Sequence, residues 1–233
     1  MILLNRKSLL LYLPLVLLVF FLINGCSTAK YQPNYVKDNK RNTWNQSNKR
    51  ISKHYRKYSG NQHVLYSLKR GQKYMLVIHQ IFRQYRLPPE LAFLPILESS
   101  FDVNATSRTG AKGLWQFKAA TARDCGLRVG WIRDERLDWQ KATVAAAKYL
   151  NKLGKRFNYN WELALAAYNG GPGYVSRAMR KSGAKDFWSL RPFLRKETQN
   201  YVPKFIAVNY IMSYSSAHNI YPIPYAFTEA QTD

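Results

Sequence analysis

The chain has 233 residues, 46% of them apolar and 15% aromatic, which is enough for one domain with a real hydrophobic core and excludes a chain disordered throughout. Its formal charge of +23 is unevenly placed: of thirteen acidic residues only Asp38 precedes Glu90, whereas residues 30–73 carry twelve Lys or Arg. A basic N-terminal third narrows the partners to anionic ones: nucleic acid, an acidic lipid surface or an anionic wall polymer.

The first twenty-six residues decide among these. Arg6 and Lys7 precede an apolar run from Ser8 to Ile23, interrupted by Pro14, which is the pattern of a secretory signal. The run closes on Ile23-Asn24-Gly25-Cys26, which resembles the bacterial lipobox, with Asn24 as its one departure. The alternative is an uncleaved membrane anchor, since the run approaches the minimum span of roughly 17 residues. Residues 1–25 are expected to be a lipoprotein signal peptide and Cys26 the lipidated residue, held firmly by several acyl chains because one chain alone binds weakly. Ser27 after the cysteine implies sorting to the outer membrane, so the expected location is its periplasmic face, and nucleic acid drops out as a partner. Cys125 is the only other cysteine; it is expected to pack as a small apolar side chain at a helix end before Gly126.

Residues 26–63 form an expected basic, lipid-anchored linker, rich in Asn, Gln, Lys and Arg, within which Ile51 to Tyr58 could form a solvated helix. From Val64 the apolar spacing turns helical. Tyr74, Ile78, Ile81, Phe82 and Tyr85 share one face of a helix over Gln72–Arg86, which Pro88-Pro89 ends. The same pair opens a second helix, Pro89 to Ser99, kinked by Pro95 and carrying Glu98 near its end. A loop over Asp102–Lys112 precedes a short helix, Lys118–Cys125. Asp138 caps a long helix to Phe157 with Ala146, Leu150, Leu153 and Phe157 buried, and Asn160 caps the next through Ala167. Pro172 starts another to Lys181, and a last helix runs from Glu197 to Ala217. No segment alternates at period two, so the fold class is all-α, with at most a minimal β element and a cleft between helices. The catalytic domain is expected at 64–225, followed by a tail at 226–233.

No His-Glu-x-x-His, no paired cysteine ligands and no glycine-rich phosphate loop occur, so neither metal nor cofactor is expected. What stands out is Glu98-Ser-Ser-Phe-Asp-Val-Asn-Ala-Thr-Ser-Arg-Thr-Gly-Ala-Lys-Gly-Leu-Trp-Gln116. This stretch resembles the catalytic motif of family 1 lytic transglycosylases, the soluble type with a goose-lysozyme-like fold, at Glu98, Ser99, Phe101, Ala105, Ser107, Gly110, Ala111, Gly113, Leu114, Trp115 and Gln116. Ala167-Tyr168-Asn169-Gly170-Gly171-Pro172-Gly173 and Glu197-Thr-Gln-Asn-Tyr201-Val-Pro-Lys204 resemble two later elements of the family, the last in the form found in its membrane-bound type D branch. Two departures are Ala142-Thr143 in place of Ser-Thr and the lack of wall-binding LysM repeats after the domain.

The resemblance implies cleavage of peptidoglycan between N-acetylmuramic acid and N-acetylglucosamine, with a 1,6-anhydro ring formed in place of hydrolysis. It implies Glu98 as sole catalytic acid and base, Ser99 and Ser107 orienting the carboxyl or the substrate's N-acetyl group, Gln116 and Asn169 bonding sugar substituents, and Tyr168 and Tyr201 bordering the cleft. Trp115 is expected to be core. Glu197 is either part of the site or a carboxylate at a helix start. For Glu98 to act as an acid its pKa must rise from about 4.3 toward roughly 6 to 7, and burial among Phe93, Leu94, Leu97 and Phe101 together with a helix C-terminus act in that direction. The alternatives are a lysozyme-type hydrolase using Asp102, Asp124 or Asp134 as second carboxylate, and a wall-binding lipoprotein without activity.

Overall fold

A computed structural model describes residues 51, 53–54, 56–58 and 62–213. The expected signal peptide, Cys26, most of the linker, and everything after 213 lie outside the described residues; those described between 51 and 58 are helical. Among the described residues from 62 onward every regular element is a helix, with no more β-structure than the isolated bridges Thr106–Lys112, Lys112–Phe117 and Val129–Asp134. The all-α reading holds, and the bridges are its minimal β element.

Helix α1, Gln62–Gln84, starts ten residues before the expected Gln72. Its buried stripe, Val64, Leu68, Met75, Ile78 and Phe82, keeps steps of three, four and seven across Gly71, so the glycine does not end it. Gly71 is a packing notch: a Cβ there would lie 2.7 Å from the ring of Phe101.

The single kinked helix expected at Pro89–Ser99 is instead a 3-10 segment, Pro89–Phe93, followed by α2, Leu94–Glu98. Pro95 has no N–H to return to the carbonyl of Leu91, and the Leu94 N–H takes that carbonyl in a tighter turn. Pro95 then occupies the first turn of α2, where proline is tolerated. The next helices follow expectation closely: α3, Ala119–Asp124; α4, Trp139–Arg156, where Asp138 accepts the Lys141 N–H at 3.1 Å; and α5, Trp161–Gly170, where Asn160 accepts the Leu163 N–H at 3.1 Å. Helix α6, Pro172–Ser182, begins after Gly171 and ends at Gly183 in the left-handed region.

An element the sequence did not announce is α7, Phe187–Leu190, nucleated by Asp186, whose carboxylate accepts the N–H groups of Trp188 and Ser189. A 3-10 turn, Arg191–Phe193, leads into α8, Lys196–Ser213. Pro203 lies inside α8 and leaves the carbonyl of Gln199 without its helical donor; the Arg191 guanidinium donates to that oxygen at 2.7 Å.

Helix α5 is the centre. Leu163, Ala164, Leu165, Ala166 and Ala167 are all buried, so it is apolar around its whole circumference, and α4, α6, α7 and α8 pack on it. Each fully buried leucine there contributes about 1.5–3 kcal/mol. Helices α1 and α8 both reach α2 and the 3-10 segment before it, so Glu98 sits where the first and last long helices converge.

The loop from Asp102 to Lys118 is pinned by the buried Arg136, whose guanidinium donates to the carbonyls of Gly110 (2.9 Å) and Phe117 (3.1 Å) and pairs with Asp134 at 2.7 Å. Gly113 lies at φ +77°, and a Cβ on it would come within 1.8 Å of the Arg136 carbonyl oxygen. Gly113→Ala is therefore expected to destabilise the domain by about 2–5 kcal/mol, from left-handed strain plus overpacking, read as a large drop in melting temperature.

Candidate active site

The chain beyond Glu98 is built to hold that residue at the end of α2. Ser100 and Phe101 both take positive φ, 53° and 59°, an arrangement that costs about 1–2 kcal/mol per residue. It is offset by dropping the Phe101 ring, 1% exposed, against Gly71. Ser99 donates its hydroxyl to the carbonyl of Leu114 at 2.8 Å, tying the end of α2 to the glycine-rich loop.

Glu98 itself is half-buried, and Phe93, Leu94 and Phe101 are core residues around it, with Leu97 partly exposed. The Tyr201 hydroxyl, carried by α8, donates to Oε1 of Glu98. Burial pushes the Glu98 carboxyl up to about 7, the Tyr201 hydrogen bond opposes that rise by favouring the charged form, and the negative charge of Glu197 adds to it. The Tyr201 hydroxyl is itself raised well above its ordinary value by burial and by the charge of Glu98, so it remains a proton-bearing donor across the neutral range.

A second group of residues converges from α5 and α8. Asn169 donates its amide to Glu197 at 3.2 Å and accepts the hydroxyl of the buried Thr198 at 2.8 Å. Because the Glu197 carboxylate accepts whereas the Thr198 hydroxyl can either donate or accept, the Asn169 amide is fixed with its NH2 toward Glu197 and its oxygen toward Thr198. The same junction is stitched by Arg195, which donates to the Gly170 carbonyl at 3.0 Å and stacks on the Tyr174 ring at 4.5 Å. Gly170 leaves room for this contact: a Cβ there would meet Thr198 Oγ1 at 3.0 Å. Tyr168 donates to the Trp115 carbonyl at 2.8 Å, and the charge of Glu98 helps raise the Tyr168 hydroxyl, which places that phenol in the same neighbourhood.

The structure thus gathers Glu98, Tyr201, Tyr168, Asn169 and Glu197. It spends other expected site residues on the loop. Ser107 accepts the Ala111 N–H at 2.9 Å within its own turn, and Gln116, at φ 49°, donates to the carbonyls of Ala105 and Gly113. Trp115 is fully buried, with its indole N–H donated to Thr143 at 3.0 Å; Thr143 donates in turn to the Trp139 carbonyl, and Ala142 beside it is core. Cys125 closes α3 half-buried, and burial raises its thiol pKa.

Asp102, Asp124 and Asp134 are not among the charges acting on Glu98. Asp102 pairs with Arg70, and Asp134 is held down to about 2 by Arg136. The carboxylate that does act on Glu98 is Glu197, and Thr198, Arg195 and Tyr174 set its surroundings. The one sequence signal for these was the Glu-Thr-x-x-Tyr element itself, in which the threonine carries the contact to Asn169.

A family model described as the transglycosylase SLT domain matches residues 75–191. The membrane-bound lytic murein transglycosylase D of Escherichia coli is 38% identical over 178 residues, covering 74% of this chain and 39% of that protein. The membrane-bound lytic murein transglycosylase F of Shewanella pealeana is 31% identical over 121 residues, 46% of this chain and 24% of that one. The chain therefore spans about two fifths of the first relative's length and about a quarter of the second's. Among solved structures, an inactive variant of the lytic transglycosylase Slt from Pseudomonas aeruginosa superposes with a TM-score of 0.52 at 23% identity, over 64% of this chain and 25% of that one, a likeness of fold.

Two measurements test the electrostatics. In carboxyl NMR titrations, Tyr201→Phe is expected to move the Glu98 pKa above about 7 and Glu197→Gln to move it below, because one removes a bond to the charged form and the other a like charge. Stability gives an independent reading. A folded pKa above the unfolded 4.5 means stability is complete below the unfolded value and declines as pH rises through about 7. Glu98→Gln removes that decline, so its advantage in melting free energy should grow to about 3 kcal/mol between about pH 5 and about pH 8.

Proposed function

The chain belongs to the transglycosylase SLT family, and on that premise we propose that it cleaves peptidoglycan glycan strands between N-acetylmuramic acid and N-acetylglucosamine, leaving 1,6-anhydromuramic ends, with Glu98 as acid and then base. The observation that carries this reading is a half-buried carboxyl with a pKa near 7, bonded by a phenol that keeps its proton. Such a group is both protonated and ionised to useful extents at neutral pH, as a residue serving two opposite proton transfers requires.

The geometry supports a particular order of steps. Tyr201 holds Oε1, and the proton leaves from Oε2 to the glycosidic oxygen as the bond from that oxygen to muramic C1 breaks. The charge that develops on Glu98 is met by the Tyr201 hydrogen bond, while the substrate's N-acetyl group stabilises the cationic C1. Burial and the charge of Glu197 then favour return of a proton to Glu98, which takes it from the C6 hydroxyl as O6 closes on C1. Asn169, with its NH2 direction fixed, and Tyr168 are the proposed contacts for sugar substituents. Ser99, Ser107 and Gln116 act on the substrate indirectly, by shaping the loop that borders the cleft.

We further propose that the chain is exported on residues 1–25, lipidated at Cys26 and held at the periplasmic face of the outer membrane, with the basic linker as a tether. The apolar run ending in Gly25-Cys26 supports this, as do relatives that are named membrane-bound.

A second reading has one observation in its favour: Glu197 supplies a second carboxylate close enough to act on Glu98, and a hydrolase would use it to activate water. Mass spectrometry of murein sacculi digested by the purified protein separates the two, since hydrolysis products are heavier by one water. Anhydro-ended products are expected, and Glu98→Gln should lower their release by at least about 100-fold, the scale of a lost general acid or base.

A further inference from the structure

The loop between α3 and α4 carries the two most exposed large apolar side chains among the described residues. Trp131 is 101% exposed and Ile132 95%, whereas the other exposed apolar residues lie between 36% and 60%. Single exposed apolar residues are ordinary, but two neighbours wholly in water at one tip are not.

The tip is also stiffly built. Val129 and Asp134 form an antiparallel bridge, and the Gly130 N–H donates to the Arg133 carbonyl at 2.9 Å, so Trp131 and Ile132 crown a tight turn. Glu135, 5% exposed, braces the turn from beneath: it accepts the Arg128 N–H at 2.8 Å and pairs with the side chains of Arg128, Arg133 and Lys141. Lys141 and the Arg128 contacts pull that carboxyl down to about 2, so the brace is charged at any neutral or mildly acid pH. Arg123 adds a bond to the Val129 carbonyl at 2.9 Å. The catalytic arrangement proposed above employs none of these residues.

We propose that this turn is a membrane-contacting tip, which places Trp131 and Ile132 in the interfacial layer of an anionic lipid bilayer with Arg123, Arg128 and Arg133 against the headgroups. Indole favours that layer, and isoleucine gains from leaving water for acyl chains. The Arg128 and Arg133 side chains remain 70% and 55% exposed although each touches Glu135, so both keep capacity for phosphate. The chain's charge of +23 draws the whole molecule to the same surface. A glycan strand fits less well: sugar sites set directed polar groups around the ring, whereas the two residues that stand wholly in water here are an indole and an alkyl chain, and isoleucine offers a sugar ring nothing that binds it. The contact is independent of any acyl group on Cys26. It would hold a tethered domain close to the bilayer and limit how the cleft is presented.

The test uses the full chain with vesicles of phosphatidylcholine and phosphatidylglycerol whose acyl chains carry bromine, a short-range quencher of indole. The difference in fluorescence between the parent and Trp131→Phe isolates residue 131. That component is expected to be quenched, more strongly with phosphatidylglycerol than with phosphatidylcholine alone, and less as salt is raised. Ile132→Asp should weaken the vesicle dependence of the Trp131 signal roughly tenfold or more. Both residues lie wholly in water, so neither variant threatens folding, and both should release products from soluble glycan at the parental rate; that assay separates failure of this inference from failure of the catalytic reading. Equal quenching of parent and Trp131→Phe would overturn the proposal. So would a Trp131 signal that ignores vesicles and responds to glycan strands, which would assign the tip to the wall polymer.

Discussion

A carboxyl removed from water, yet left one hydrogen bond to its charged form, is the constraint around which this domain is arranged. Burial alone would make Glu98 a reluctant acid, holding its proton too firmly, and exposure alone would leave it ionised and unable to donate one. The phenol of Tyr201 and the charge of Glu197 pull in opposite directions on the same group, and both arrive on α8. What fixes α8 relative to α2 is the apolar α5, against which α8 packs, and the stitching of Arg195, Tyr174, Thr198 and Asn169 where α5 ends and α8 begins. The left-handed residues after Glu98 and the loop anchored by Arg136 complete the frame from the other side.

Four acidic residues of the domain meet opposite fates. Asp134 and Glu135 are surrounded by Lys and Arg and driven down to about 2, which makes them permanent anionic staples of the loop between α3 and α4. Glu98 and Glu162 sit in apolar surroundings and are driven up to about 7. Glu162 has only the indole N–H of Trp188, at 3.0 Å, to favour its charge, just as Glu98 has Tyr201. With so few carboxylates in so basic a chain, those that titrate near neutrality are the ones kept away from the cations.

Local chemistry wrote most of the fold into the sequence. Asp138 and Asn160 capped the helices they were expected to cap, because a side-chain oxygen two or three residues ahead of a free N–H is a short-range event. Pro95 marked an irregularity at the right residue, although its form, a change from 3-10 to α, depended on which neighbour claimed the Leu91 carbonyl. The expected start of the first helix at Gln72 left out Gly71, which is a fitted surface within that helix for a ring thirty residues later. Of the candidate site, the pattern in the sequence named both Glu98 and Tyr201, which the structure joins by a hydrogen bond. Partners across the chain were not legible: that Ser99 donates to Leu114, Gln116 to Ala105 and Gly113, and that the carboxylate acting on Glu98 is Glu197 rather than an aspartate of the loop. Hydrogen bonds of that reach leave no period and no spacing to read.

The bond between Tyr201 and Glu98 joins residues 103 positions apart, and this separation has a consequence in time as well as in space. A chain that emerges N-terminus first presents Glu98 long before α8 exists, and until α8 docks the carboxyl lacks both the Tyr201 hydrogen bond and the charge of Glu197. The electrostatic setting of the residue is therefore a product of completed assembly. A nascent or truncated molecule without α8 carries the glutamate without the bond and the charge that set its hold on a proton, so the docking of α8 completes the electrostatics of a residue made about a hundred positions earlier.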